Sequence, residues 1–117
     1  MISQGRCPVL TCEGGDEVQE SKWSADPDIT SFMKKNGLNG TTALYAFYEN
    51  KIQAIVRAPP NSRTVVNWVE AFDGFGDQLD KSTVIHVWKS KSDLLTVLEA
   101  GFRAILSDAS QWYLTGS

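Results

Sequence analysis

Thr64-Val65-Val66-Asn67-Trp68 and Thr83-Val84-Ile85-His86-Val87-Trp88 decide the fold. Both runs are rich in β-branched residues and nearly continuously apolar, without strict alternation. A strand that faces water on one side alternates; one covered on both faces does not. The two runs therefore read as buried parallel strands. Two similar runs flank them, Pro8-Val9-Leu10-Thr11-Cys12 before and Phe102-Arg103-Ala104-Ile105-Leu106-Ser107 after. Between the first two strands the pattern is helical. Asp26 is set to cap a helix with Pro27 at its first position, Ile29, Phe32 and Met33 form its apolar stripe, and Gly37 stops it. A second helix is predicted from Thr41 or Thr42 to Arg57, with Leu44, Phe47, Tyr48, Ile52, Ile55 and Val56 as its apolar face. Pro59-Pro60-Asn61 ends it. Gly74 and Gly76 mark a loop, Asp80-Lys81-Ser82 a turn, and Ser92 to Ala100 a short helix with Leu94, Leu95 and Leu98 on one face, closed by Gly101. Strands alternating with helices make an α/β chain, either a doubly wound sheet or a barrel.

Composition narrows the function classes. The chain has 117 residues, room for one domain or part of a larger one. Apolar residues make up 42% and charged residues 21%, ordinary globular values. With 11 basic and 14 acidic residues the net charge is −3, which argues against nucleic acid as a partner. No apolar run is long enough for a membrane span, and the N-terminus lacks the apolar stretch of a signal peptide. Cys7 and Cys12 have no later Cys or His at ligand spacing, so no metal site is expected; the two could pair as a disulfide. Asn39-Gly40-Thr41 is an N-glycosylation acceptor, usable in a secretory compartment.

The chemistry-bearing residues fall at strand ends. Asp16-Glu17 follows the first strand after Gly14-Gly15, Trp68 ends the second, Trp88 ends the third, and Trp112-Tyr113 follows the fourth. Parallel α/β folds bind ligands at the carboxyl ends of their strands. One tryptophan in such a place reads as core; three at matching ends read as a site. A carboxylate pair beside indoles suggests carbohydrate, because sugar rings present apolar C–H faces to aromatic planes. Apolar walls also favour a protonated carboxyl suited to general-acid work. Adjacent carboxylates cannot easily flank a glycosidic bond from both sides as the usual pair does. One acid and one helper is the more natural division. His86, inside a strand, reads as a packed barrel residue rather than a base.

These residues resemble a known family. Gly14-Gly15-Asp16-Glu17-Val18, Trp23, Asp26-Pro27-Asp28-Ile29 and Phe32-Met33 are similar to the catalytic segment of the family-20 β-N-acetylhexosaminidases; Asn67-Trp68, Phe75-Gly76 and the spacing before Trp112-Tyr113 resemble the plant-type branch most. The likeness continues through Val66 to Phe72, Thr83 to Trp88, Gly101 to Ser107, and Trp112-Tyr113-Leu114. Residues 14–117 carry it and residues 1–13 match poorly; Cys12-Glu13 stands where the family usually has His-Leu, and Thr115 where many members carry an acid. The resemblance implies part of a (β/α)8 TIM barrel, roughly strands four to seven of eight. It implies hydrolysis of terminal β-linked N-acetylhexosamine, with the substrate's own acetamide as nucleophile. Glu17 would be the general acid and Asp16 the carboxylate that orients the acetamide. Trp68 and Trp88 would wall the acetamide pocket, with Trp112 beside them, and Tyr113 would donate to the acetamido oxygen. No cofactor is implied. The partners would be N-acetylhexosamine-terminated glycans, with room for a homodimer, and the location the secretory pathway, vacuolar, lysosomal or extracellular. About half a barrel leaves open sheet edges and an apolar inner face, so self-association of this chain is expected. The alternative is a truncated, non-catalytic piece with at most weak sugar binding.

Overall fold

The computed structural model describes residues 9–114. Four strands, β1 (Leu10–Cys12), β2 (Thr64–Trp68), β3 (Val84–Val87) and β4 (Arg103–Leu106), form one sheet in the order β1-β2-β3-β4. Every neighbouring pair is parallel. Among the described residues the order never doubles back and shows no topological switch point, which is a barrel segment's arrangement rather than a doubly wound sheet's. Right-handed crossovers in one direction put all the connections on one side of the sheet, the arrangement of a βα-barrel segment. The expected strands are all present; β3 and β4 are each one residue shorter at both ends than expected, and Val9 lies before β1. Pro8 and Cys7 lie outside the described residues, and the pairing of Cys7 with Cys12 with them.

Helix α1 (Pro27–Lys35) starts as the sequence requires. The Asp26 carboxylate accepts from the backbone N–H of Asp28 at 2.8 Å and of Ile29 at 3.2 Å. Its end is a Schellman turn. Gly37 takes φ +65°, Leu38 N–H donates to Met33 O at 2.9 Å, and Gly37 N–H donates to Lys34 O at 3.3 Å.

Helix α2 (Thr41–Arg57) has the expected bounds but a different buried face. It buries Tyr45, Ala46, Glu49 and Gln53, while Tyr48 and Ile55 are 58% and 62% exposed. The reason is a polar residue on the sheet beneath it. Asn67 of β2 is fully buried and must be satisfied. Its amide N–H donates to Glu49 Oε2 at 2.9 Å and its Oδ1 accepts from Gln53 Nε2 at 2.7 Å. Arg57 then donates to Gln53 Oε1 and to Thr83 Oγ1, each at 2.7 Å. The helix turns its polar line inward to meet Asn67, and part of its apolar stripe faces out.

The expected loop at Gly74 and Gly76 is helical. Helix α3 (Val69–Phe75) follows Trp68 without a gap and tightens into a 3-10 turn over Gly76–Gln78. Gly76 serves packing: a Cβ there would stand 2.7 Å from the Phe72 ring. Helix α4 (Lys91–Glu99) is capped by Ser90, whose Oγ accepts from Asp93 N–H. It buries Val97 and leaves Leu95 and Leu98 exposed, so the expected leucine face is only partly used. The core lies between the sheet and α2, α3 and α4, around Tyr45, Val69, Phe75, Ile85, Val87, Val97 and Phe102. Each fully buried aliphatic or aromatic side chain there contributes about 2 kcal/mol from area removed from water. A short helix α5 (Ala109–Trp112) closes the described chain.

Candidate active site

The strand ends form one rim. Beyond β1 the chain keeps its register for two more residues: Glu13 N–H donates to Val66 O at 3.0 Å and Trp68 N–H to Gly14 O at 3.2 Å. It then turns sharply. Gly14 and Gly15 take φ +77° and +89°, and Glu17 takes φ +50°, a region costly for a residue with a Cβ. Gly15 has a second constraint. The Tyr45 hydroxyl donates to Gly15 O, and a Cβ on Gly15 would lie 2.6 Å from that hydroxyl. Burial and the nearby Glu49 carboxylate push the Tyr45 phenol well above its ordinary pKa, so it stays a donor.

The turn carries Asp16 and Glu17 to a cavity of about 150 Å³ lined by those two carboxylates, Trp68, Trp88 and Tyr113. The Trp68 indole lies on the His86 imidazole at 4.1 Å between ring centroids and 17° between planes. His86 Nε2 is 2.7 Å from Ser107 Oγ, and burial lowers the His86 pKa, favouring the neutral ring against the indole. Trp88 and Tyr113 run parallel, 6.0 Å between centroids and 9° between planes. Trp112 does not line the cavity: it is 70% exposed on the outside of α5. One helical turn cannot aim adjacent residues at the same space, and Tyr113 takes the inward place. Asn39 is exposed in the connection between α1 and α2.

Three residues around the site have no obvious mark in the sequence. Glu70 of α3 accepts the Trp88 indole N–H on both carboxylate oxygens, at 3.0 and 3.2 Å. Lys89 Nζ lies 3.3 Å from Glu70 Oε1 and 3.2 Å from Asp73 Oδ2; against the effect of burial, these carboxylates raise the ammonium pKa. Beneath the turn, both oxygens of Glu13 are shut off from solvent without a hydrogen-bond partner. Burial, with Glu49 nearby and Arg57 opposing, pushes Glu13 up to about 7. Glu49 is itself raised by burial, against the Asn67 hydrogen bond. A larger depression of about 450 Å³ lies around Phe72, Lys81 and Phe102. Its one cation is already engaged, Lys81 donating to Ala100 O and lying over the Phe102 ring. Among the described residues no three His, Cys, Asp or Glu side chains gather to hold a metal ion, and no helix is long and apolar enough to cross a membrane.

The sheet and its strand-end cavity define part of a βα-barrel protein with its site on the carboxyl rim. The chain belongs to glycosyl hydrolase family 20: the model of that family's catalytic domain matches residues 9–116. Beta-hexosaminidase 3 of Arabidopsis thaliana is 36% identical over 101 residues, covering 86% of this chain and 18% of the relative. Beta-hexosaminidase subunit beta of Rattus norvegicus is 42% identical over 107 residues, covering 86% and 19%. This chain thus spans about a fifth of the length of the curated relatives it matches. Among solved structures, a family-20 exo-β-N-acetylglucosaminidase of Vibrio harveyi in complex with N-acetylglucosamine superposes with TM-score 0.72 at 26% identity, over 83% of this chain and 15% of that one. A Flavobacterium johnsoniae chitobiase shares the fold with TM-score 0.69 at 22% identity, over 86% and 16%.

Proposed function

We propose that this chain supplies the acid-bearing part of a β-N-acetylhexosaminidase site, which removes terminal β-linked N-acetylhexosamine from glycans. One observation carries the reading: Asp16, Glu17, Trp68, Trp88 and Tyr113 converge on a single cavity although they come from four strand ends. Glu17 protonates the leaving glycosidic oxygen and later activates water. The substrate's acetamido carbonyl attacks the anomeric carbon, a retaining route that needs no second carboxylate nucleophile. Asp16 orients the acetamide and steadies charge on its nitrogen. Tyr113 donates to the acetamido oxygen, and the Trp68 and Trp88 indoles confine the group so that it stays in line for attack. Trp112, on the outer side of α5, stands clear of the reacting sugar. An exposed Asn39 acceptor fits a secretory-pathway protein, glycosylated there.

The test replaces the matched segment of the Arabidopsis relative with residues 9–116 of this chain and follows release of an aryl N-acetyl-β-glucosaminide. Activity that disappears with Glu17→Gln while N-acetylglucosamine binding persists supports the reading. Turnover that survives Glu17→Gln refutes the acid role. Sugar binding without turnover in the unsubstituted graft supports the non-catalytic alternative.

A further inference from the structure

Trp88 follows β3 directly and packs in part against the core. Two contacts also bear on the rotation of its ring. Its face runs parallel to Tyr113, and its indole N–H points at Glu70. Both Glu70 oxygens lie within hydrogen-bond distance of that one N–H, a charge-assisted contact of the stronger kind. The Glu70 side chain is only 15% exposed, so water competes weakly for it. Lys89, the residue after Trp88, reaches the same carboxylate and that of Asp73 on α3. Two neighbouring residues past β3 are therefore tied to one side chain on α3. Glu70 is also two residues past Trp68, at the start of the helix that leaves β2. A single carboxylate thus couples the ends of β2 and β3, and with them the two indoles that line the cavity.

We propose that Glu70 is a positioning residue: its carboxylate fixes the ring plane of Trp88, and through the stacked Tyr113 sets the shape of the cavity that receives the acetamido group. This rests on the function proposed above. Glu70 does not line the cavity and takes no proton from substrate; it acts through Trp88. An acetamide that serves as nucleophile must be held in near-attack geometry, so loss of the tether should slow the chemical step more than it weakens binding. By the sensitivity of such steps to small misplacements, Glu70→Ala should lower kcat by about tenfold to a hundredfold with KM changing much less. Glu70→Gln keeps an oxygen that can accept the indole N–H but loses the charge that holds Lys89, and should recover most of the rate.

Two measurements test this. The first is the Trp88 indole N–H resonance of the 15N-labelled 117-residue chain, assigned with Trp88→Phe. It should lie downfield and exchange slowly with solvent, move upfield and exchange faster in Glu70→Ala, and return toward its place in Glu70→Gln. The second is kcat and KM in the Arabidopsis graft. An indole resonance unmoved by Glu70→Ala, or a graft in which that change raises KM while kcat stays constant, overturns the proposal. A graft inactive with Glu70 in place counts against the proposed function; the positioning role then stands or falls on the indole resonance alone.

Discussion

Replacing Glu13 with leucine should stabilise the chain, and by an amount that depends on pH. Glu13 lies behind the Gly14-Gly15 turn with both oxygens buried and unpartnered. A carboxylate there loses its water and faces a second buried acid, Glu49; Arg57 offsets this only in part. Its pKa rises from an ordinary 4.5 to about 7. At about 1.4 kcal/mol for each pH unit between them, the shift sets an upper bound of about 3 kcal/mol against the ionised form, and because Glu13 is only part-buried, solvent screening reduces it to about 1–2 kcal/mol. The sign follows from proton counting. Between pH 4.5 and 7 the folded chain holds a proton that the unfolded chain has released, so stability falls as pH rises through that window and levels off above it. In Glu13→Leu this loss is absent. The difference in unfolding free energy between variant and parent should grow by about 1–2 kcal/mol from pH 4.5 to pH 8. A smaller pH-independent gain adds to it, because a neutral carboxyl without a partner is also costly to bury. His86 works in the opposite sense: its pKa is lowered by burial, so it removes stability as pH falls below 6.5. Its effect is common to both proteins and cancels in the difference. The assay is urea unfolding followed by indole fluorescence at micromolar concentration, at pH 5, 6, 7 and 8. A difference that stays constant across that range would refute the reasoning.

Three further outcomes are expected. Gly15→Ala puts a Cβ 2.6 Å from the Tyr45 hydroxyl at φ +89°; it should cost about 1–3 kcal/mol in the same urea assay, and an unchanged midpoint would deny the close approach. Asn67→Ala leaves Glu49 and Gln53 buried without their shared partner, and should cost about 2–4 kcal/mol, whereas a loss below half a kcal/mol would show that α2 does not depend on the polar line. Among the described residues the outer edges of β1 and β4 are unpaired, and Leu10 and Ile105 are 49% and 41% exposed. Sedimentation should therefore show reversible self-association that Ile105→Lys weakens, and a monomer at every concentration would contradict it.

Most of what was legible in the sequence came from short-range physics. The cap at Asp26, Pro27 in the first turn and Gly37 in a left-handed conformation bracket α1 because capping bonds join residues two to five apart. The β-branched runs from Thr64 and Thr83 are strands because their side chains suit a pleated surface covered on both sides. The strand-end positions of Asp16, Glu17, Trp68, Trp88 and Tyr113 were readable for the same reason: once the strands are placed and parallel, their carboxyl ends share a rim. The inward turn of Tyr113 and the outward turn of Trp112 were not, since α5 is a single turn whose direction depends on what it packs against.

The longer-range facts needed the tertiary structure. Hydrophobic spacing along α2 marks an apolar stripe, but the buried face was chosen by Asn67, a strand residue 18 positions from Glu49. Gly76 looks like a turn residue and acts as a gap for the Phe72 ring. Glu70 reads as an ordinary acid in a helix's first turn until parallel pairing of β2 with β3 places the Trp88 indole against it. Glu13 looks like a solvated loop residue until α2 brings Glu49 and Arg57 over it. Local sequence determines capping, period and turn because those energies come from neighbours in the chain. Which polar atom meets which across 18 residues or more is decided by strand register and helix rotation, and these are set by the packing of the whole sheet.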